Sequence, residues 1–213
     1  MSEYIQWHHE ALGEKIVKAL EKNLFTATYV QNREAATAKL LELIPTSATI
    51  GFGGSVTLAQ LGIITKLEER GNQVLNYMKP GLSPEEMRAI RRQHLLSDVF
   101  LSGTNAVTLD GKLVNVDATG NRVGAMLFGP EKVIIVVGIN KIVCDVAEAE
   151  NRVKLWASPP NNKRLGYPNP CAQTGVCVDC QGPTRICNIT TIMHKKPRQT
   201  DVHVIVVGEE LGL

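Results

Sequence analysis

Two segments in the second half of the chain, "KVIIVVGI" at 132–139 and "VHVIVVG" at 202–208, are largely apolar without alternation. Such continuous apolar strands are typical of a parallel sheet that is covered on both faces. Further strands are predicted at 25–30, 46–54, 72–77 and 98–103. Helices are predicted at 5–23, 32–44, 55–71, 83–96, 121–128 and 143–155. This alternation predicts an α/β fold with a three-layer, open, mostly parallel sheet.

Two segments depart from the alternation. "AVTLDGKLVNVD" at 106–117 has alternating residues on both sides of Asp110-Gly111, a dipeptide favoured in two-residue turns, and predicts an inserted β-hairpin. The stretch at about 157–197 is rich in Pro, Gly and Asn, and reads as a loop insertion before the final strand. We therefore expect a single domain over residues 1–213 with a cysteine-rich loop insertion.

Composition excludes several classes of function. The net charge of the 213 residues is +2 and aromatic residues make up 5%, so neither an electrostatic nor a stacking surface for nucleic acid is indicated. No apolar run reaches the roughly 18 residues of a membrane span, and the first residues are amphipathic and carry acids, unlike a secretory signal. We expect a cytoplasmic protein without a nucleic-acid or membrane partner.

A glycine-rich turn, "IGFGGSVT" at 50–57, lies between a predicted strand and a predicted helix. Glycines let the backbone approach a ligand closely, and main-chain N–H groups at such a turn attract anions. The candidate ligand-binding residues are Gly51, Gly53, Gly54, Ser55 and Thr57. The turn lacks the lysine of a P-loop and the third glycine of a dinucleotide fingerprint. The alternative is a tight turn in which Ser55 caps the helix.

The hairpin and the turn after it form a second polar segment. Asp117 is a candidate general base and Arg122 a candidate partner for a carboxylate or phosphate, while Asn105 follows a predicted strand, where ligands of parallel α/β folds lie. The full candidate set is Asn105, Asp110, Asn115, Asp117, Thr119, Gly120, Asn121 and Arg122. The alternative is turn chemistry, with Asp110 in the hairpin turn and Asn121 as a helix cap. Lys163 and Arg164, just before the cysteines, either carry an anionic ligand or face water.

Four of the five cysteines lie within "PNPCAQTGVCVDCQGPTRICN" at 168–188. Cys171, Cys177, Cys180 and Cys187 match the ligand count of an iron–sulfur cluster, or alternatively of a tetrahedral zinc site. The gaps of five, two and six residues fit neither a zinc ribbon nor a bacterial ferredoxin motif, so a disulfide between redox thiols and unligated thiols also remain open. Cys144 is expected to be a buried, small apolar residue.

Three segments together resemble one family. "IGFGGSVTLAQLGI", "LSGTNAVTLDGKLVNVDATGNRVGAMLFGPEKVIIVVGINKIV" and "VIVVGEELGL" are similar to the LUD domain of lactate-utilisation proteins of the LutC type, over nearly the whole chain. The resemblance implies a fold like that of the NagB/RpiA/CoA-transferase group. It also implies that the glycine turn binds anionic ligands and that the hairpin lines the pocket through Ala106, Val107, Asp110, Gly111 and Asn115.

The same resemblance implies a function. A LUD-type protein takes part in the oxidation of L-lactate, or of a related small hydroxy acid, to pyruvate beside iron–sulfur partner proteins, and its ligand is a small anionic metabolite. The four-cysteine segment departs from the simplest members and suggests a distinct branch, in which the chain can itself be an oxidoreductase component. The alternatives are a sugar-phosphate isomerase- or CoA-transferase-like enzyme with a structural zinc clip, and a non-catalytic metabolite-sensing subunit. A homo-oligomer is compatible with either reading.

Overall fold

The structure is a computed structural model, and it describes residues 2–213. Helices and strands alternate along most of these residues. In chain order the elements are α1 (Glu3–Lys22), β1 (Thr26–Val30), α2 (Arg33–Leu43), β2 (Thr49–Phe52), α3 (Val56–Leu61), α4 (Ile63–Glu69), β3 (Gln73–Val74), α5 (Pro84–Gln93), β4 (Val99–Gly103), β5 (Ala106–Thr108), β6 (Leu113–Asp117), α6 (Asn121–Leu127), β7 (Lys132–Gly138), β8 (Ile142–Val143), α7 (Val146–Arg152), α8 (Ser158–Leu165), α9 (Cys171–Thr174), β9 (Ile189–Met193) and β10 (Asp201–Val207).

The central sheet contains six parallel strands in the order β1-β10-β7-β4-β2-β3. The apolar strand β7 lies inside it, and its successive side chains enter two different cores. Ile134 and Val136 pack on one face, whereas Val133 and Ile135 pack on the other. Because both faces are covered, the strand is apolar without alternation, as expected for a parallel sheet. The predicted α/β fold with a three-layer, mostly parallel sheet is confirmed.

A second, four-stranded sheet has the order β8-β5-β6-β9. Its centre is the predicted hairpin, in which Ala106 pairs with Val114 across antiparallel β5 and β6. Strand β9 pairs antiparallel with β6 and places Ile189 opposite Asp117. The stretch at 157–197 is therefore more than a loop, since it contains α8, α9 and a strand of this sheet.

Three local expectations differ from the structure. The helix predicted at 55–71 is split into α3 and α4 at Gly62, whose φ of 61° is left-handed and ends the first helix. The helix predicted at 143–155 begins later, because Asp145 caps it, and runs through a π-helical turn at Val153–Ala157 into α8. Cys144 precedes that helix and is exposed, so its prediction as a buried residue was wrong.

Helix α1 is the longest helix, with 20 residues, and it covers one face of the central sheet. Its own residues Ile16 and Leu20 are fully buried against the sheet, while most of its other residues face water. This distribution is that of an amphipathic surface helix. Within residues 2–213, no helix combines the length and the apolar character that a membrane crossing requires.

Candidate functional site

A cavity of about 300 Å³ opens where β2 and β4 of the central sheet and β6 of the second sheet end. The turns after these three strands, α6, α8 and the cysteine segment (residues 168–188) surround it. Its position at the carboxyl ends of parallel strands is where open α/β sheets bind ligands. The cavity is thus the candidate functional site.

The glycine turn contributes one wall. Gly54 and Ser55 line the cavity, and the Ser55 Oγ accepts the N–H of Leu58 at 3.3 Å, which caps α3. Gly53 lies behind this wall, where a Cβ would stand 2.7 Å from the Arg122 Cγ. Its lack of a side chain therefore allows the arginine to cross beneath the turn. Ser55 keeps its hydroxyl hydrogen for a ligand, since its oxygen serves the cap as an acceptor.

Asp117 lies at the end of β6 and faces the cavity. Its Oδ1 accepts the N–H groups of Thr119 at 3.0 Å and Gly120 at 2.9 Å. Its Oδ2 lies 3.3 Å from the Arg122 Nε, and both side chains are largely buried. The carboxylate is therefore fixed in orientation by a turn on one oxygen and by an ion pair on the other.

Arg122 joins the ends of several strands. Besides the ion pair, its two terminal nitrogens donate to the Asn115 Oδ1 at 2.7 Å, the Asn105 Oδ1 at 3.2 Å, the Val116 carbonyl at 2.8 Å and the Gly103 carbonyl at 3.3 Å. A guanidinium has five N–H donors, so protein acceptors occupy all of them. Arg122 lines the cavity as predicted, but it is a positioning residue whose charge, not a free N–H, is presented to a ligand.

Lys141 is a cavity residue that sequence reasoning missed. It follows β7 in a short 3₁₀ turn, is only 4% exposed, and its Nζ donates to the Thr57 Oγ1 at 3.1 Å. Burial, then repulsion from Arg152 and Arg122, lowers the pKa of Lys141 to about 7. Within residues 2–213, no carboxylate lies at ion-pair distance from this amine. The sequence offered one signal, a lysine just beyond the carboxyl end of a fully apolar strand.

Two more cations complete the rim. The Arg91 guanidinium stands 4.5 Å from the centre of the Tyr77 ring, and Arg164 reaches the cavity from α8. Burial raises the pKa of Tyr77, although the two arginines oppose the shift, so this hydroxyl stays protonated at neutral pH. With Arg122 and Lys141, four cationic side chains line the cavity, and the one Asp or Glu side chain in its lining, Asp117, is already paired. The site is therefore strongly electropositive.

The cysteine segment forms another part of the wall. Cys187 lines the cavity, and its Sγ lies 3.1 Å from the Ser158 Oγ. The next residue, Asn188, donates its N–H to the Asp117 carbonyl at 3.1 Å. The segment is thus fastened to the same strand end that carries the candidate base. Among residues 2–213, no three His, Cys, Asp or Glu side chains are arranged to hold a metal ion as they stand.

The predicted site residues fall into three groups. Those that line the cavity are Gly54, Ser55, Asn105, Asp117, Thr119, Asn121 and Arg122. Those that lie behind its walls, against lining residues, are Gly53, Thr57, Asn115 and Gly120, whereas Gly51 lies within β2, where a Cβ would stand 2.8 Å from the Ser97 Oγ. Asp110 lies apart, in the hairpin turn, where it pairs with Lys112 and its carbonyl accepts a hydrogen bond from Asn23. Turn chemistry, the alternative raised for Asp110, accounts for these contacts.

Comparisons with known proteins agree with this fold. The crystal structure of a DUF162 family protein from Deinococcus radiodurans superposes with a TM-score of 0.52 at 17% sequence identity, covering 93% of this chain and 98% of that one. At that identity the likeness establishes the fold alone. No curated protein matches the sequence. The family profile described as the LUD domain matches residues 13–207, and the chain therefore belongs to the LUD domain family, which is associated with lactate utilisation.

Proposed function

We propose that the cavity binds the carboxylate of L-lactate, or of a related small hydroxy or oxo acid, and that the chain is a component of the oxidation of that acid to pyruvate. The observation that carries the proposal is Lys141, a buried amine on the cavity that has no carboxylate partner within residues 2–213. The family supports the acid as the ligand class.

The electrostatics favour an anionic ligand. A buried cation without a partner costs several kcal/mol, and a carboxylate placed beside the Lys141 Nζ would offset that cost. Ser55 has a hydroxyl hydrogen to donate to the same ligand, and the Arg91 and Arg164 charges stand at the rim. The cavity volume of about 300 Å³ is at the lower end of ligand sites, which suits a small metabolite.

The reaction also needs groups that accept protons. Oxidation of a 2-hydroxy acid to a 2-oxo acid releases two protons and two electrons. Asp117 faces the cavity and can accept a proton, whereas Lys141 is charged when it holds the ligand carboxylate and cannot accept one. We propose that Asp117 receives the hydroxyl proton, that the C2 proton is released to solvent, and that iron–sulfur partner proteins of a lactate-oxidation system accept the two electrons.

Isothermal titration calorimetry on the full chain tests the binding step. L-lactate and pyruvate are titrated into the wild type, and into Lys141→Met and Lys154→Met. Lys154 is exposed, so Lys154→Met removes one lysine charge at another position and is the matched control. We expect wild type and Lys154→Met to bind alike, and Lys141→Met to bind at least about tenfold more weakly, because a charge-assisted hydrogen bond is lost.

Two results would overturn the proposal. One is the absence of binding of any small hydroxy or oxo acid to the wild type. The other is an unchanged affinity in a folded Lys141→Met variant. Ribose 5-phosphate and acetyl-CoA are titrated in parallel, since tight binding of either one, without binding of the acids, would favour an isomerase or transferase.

A further inference from the structure

Two of the four cysteines of the cysteine segment are tied to one cation, Arg185, through their main-chain carbonyls. The Arg185 Nη1 donates to the Cys180 carbonyl at 2.7 Å and its Nε donates to the Cys187 carbonyl at 2.9 Å. The same guanidinium pairs with Asp179 at 2.7 Å. Two cysteines that are seven positions apart are therefore held by one side chain.

The C-x-x-C pair forms a tight turn. Asp179 has a left-handed φ of 48°, and its N–H points at the Cys177 Sγ at 3.5 Å. The main-chain N–H of Asp179 therefore orients the Cys177 sulfur within the turn. A left-handed non-glycine residue is uncommon, so this turn is a specific arrangement and not an average loop.

A buried amide network fastens the two arms of the segment. The Asn169 Nδ2 donates to the Asn162 Oδ1 at 2.6 Å and to the Thr184 carbonyl at 2.8 Å, and the Thr184 hydroxyl donates back to the Asn169 Oδ1 at 2.6 Å. Cys171 follows Asn169 closely and is buried. Cys187 follows Thr184 closely in the same way, so the network joins the stretches that carry Cys171 and Cys187.

We propose that the four cysteines bind one metal centre through four thiolates, and that this centre closes the cavity wall at Cys187. The sulfurs need to draw together to do so, since no three of them stand in ligating positions within residues 2–213. The Cβ positions of Gly175 and Gly182 face open space, with nothing within 4 Å, so packing does not hold the loop at these two glycines.

The ligand chemistry fits two metal sources, and the test separates them. Four thiolates suit both a tetrahedral zinc ion and an iron–sulfur cluster. The inference is independent of the proposed function, since it concerns the cysteine segment whether or not an acid binds in the cavity. A metal-loaded protein that binds no acid would leave this inference standing and remove the other.

The test begins with the full chain purified without oxygen. We expect one zinc ion, or one iron–sulfur cluster with matching sulfide, per chain, natively or after reconstitution with zinc or with iron and sulfide. Zinc gives a colourless protein, whereas a cluster gives visible absorbance that dithionite bleaches. Cys180→Ser and Cys187→Ser should lose the metal, whereas Cys144→Ser, at the exposed fifth cysteine, should keep it.

Thiol labelling provides a readout that does not depend on variants that fold poorly. In the native, metal-loaded chain we expect a maleimide to modify Cys144 alone, and to modify the four segment cysteines only after a chelator is added, as counted by mass spectrometry. A chain that stays metal-free after both reconstitutions overturns the proposal. So does a native disulfide within the segment, or full metal content in folded Cys180→Ser and Cys187→Ser.

Discussion

The Lys141 Nζ lies 3.1 Å from the Thr57 Oγ1, so the amine that follows β7 is held against the helix that follows the glycine turn. Thr57 is fully buried and cannot move away, and a Cβ on Gly212 would crowd the same lysine at 2.8 Å. The contact fixes the amine on the cavity wall. It also explains why a threonine of the glycine turn, which does not itself line the cavity, bears on the site.

The first prediction concerns pH. Lys141 has a pKa of about 7, and a bound anion favours its charged form, so binding above that pH takes up a proton. We expect the affinity for L-lactate or pyruvate to be constant below about pH 6 and to fall by up to about tenfold per pH unit above about pH 7. Calorimetry in buffers of different ionisation enthalpy measures the proton uptake. The affinity of Lys154→Met should show the same pH dependence, and that of Lys141→Met should not. An equal wild-type affinity below pH 6 and well above pH 7 would contradict the role given to Lys141.

The second prediction concerns stability. The folded-state pKa of Lys141 is lower than in the unfolded chain, so the buried charge destabilises the protein fully below about pH 7. Between about pH 7 and about pH 10 the unfolded chain binds more protons, and the wild type gains stability as pH rises. Lys141→Met should therefore raise the free energy of unfolding by about 2 kcal/mol near pH 6, because the lost Thr57 hydrogen bond offsets part of the relief. The difference in free energy of unfolding between Lys141→Met and the wild type should shrink towards pH 9. If urea titrations gave the same difference at every pH, Lys141 would not be the source of a buried charge.

The central sheet could be predicted from the sequence because a strand that is buried on both faces is a continuous apolar run, as in β7. They also placed Asn105 and Asp117 at strand ends, where both line the cavity. Lys141 was missed because its burial depends on the turn after β2 lying beside the turn after β7, a contact between distant parts of the chain. Strand β9 was missed for a similar reason, since it is short and is stabilised by pairing with β6, more than 70 residues earlier.

The third prediction compares the roles of two arginines that line the cavity, Arg122 and Arg164. Arg122→Met leaves the buried Asp117 carboxylate without its partner and the two asparagine side chains without a donor, so unfolding should become easier by about 3 kcal/mol. Arg164 is exposed, and Arg164→Met should change stability by no more than about 0.5 kcal/mol while it weakens acid binding. Urea unfolding and calorimetry on both variants measure the two effects. Equal stability losses would contradict the structural role given to Arg122.

The fourth prediction concerns the glycine turn. A Cβ at Gly53 would lie 2.7 Å from the Arg122 Cγ and 2.8 Å from its Cδ, while that arginine is held by acceptors on several strand ends. Because Arg122 cannot move aside without losing these bonds, Gly53→Ala should cost about 2 kcal/mol and also weaken acid binding. Gly182→Ala is the control, since nothing lies within 4 Å of its Cβ, and it should leave the stability within about 0.5 kcal/mol of the wild type. If Gly53→Ala were as stable as Gly182→Ala in urea unfolding, Arg122 would be able to move aside from the added methyl group, which would contradict the restraint argued here.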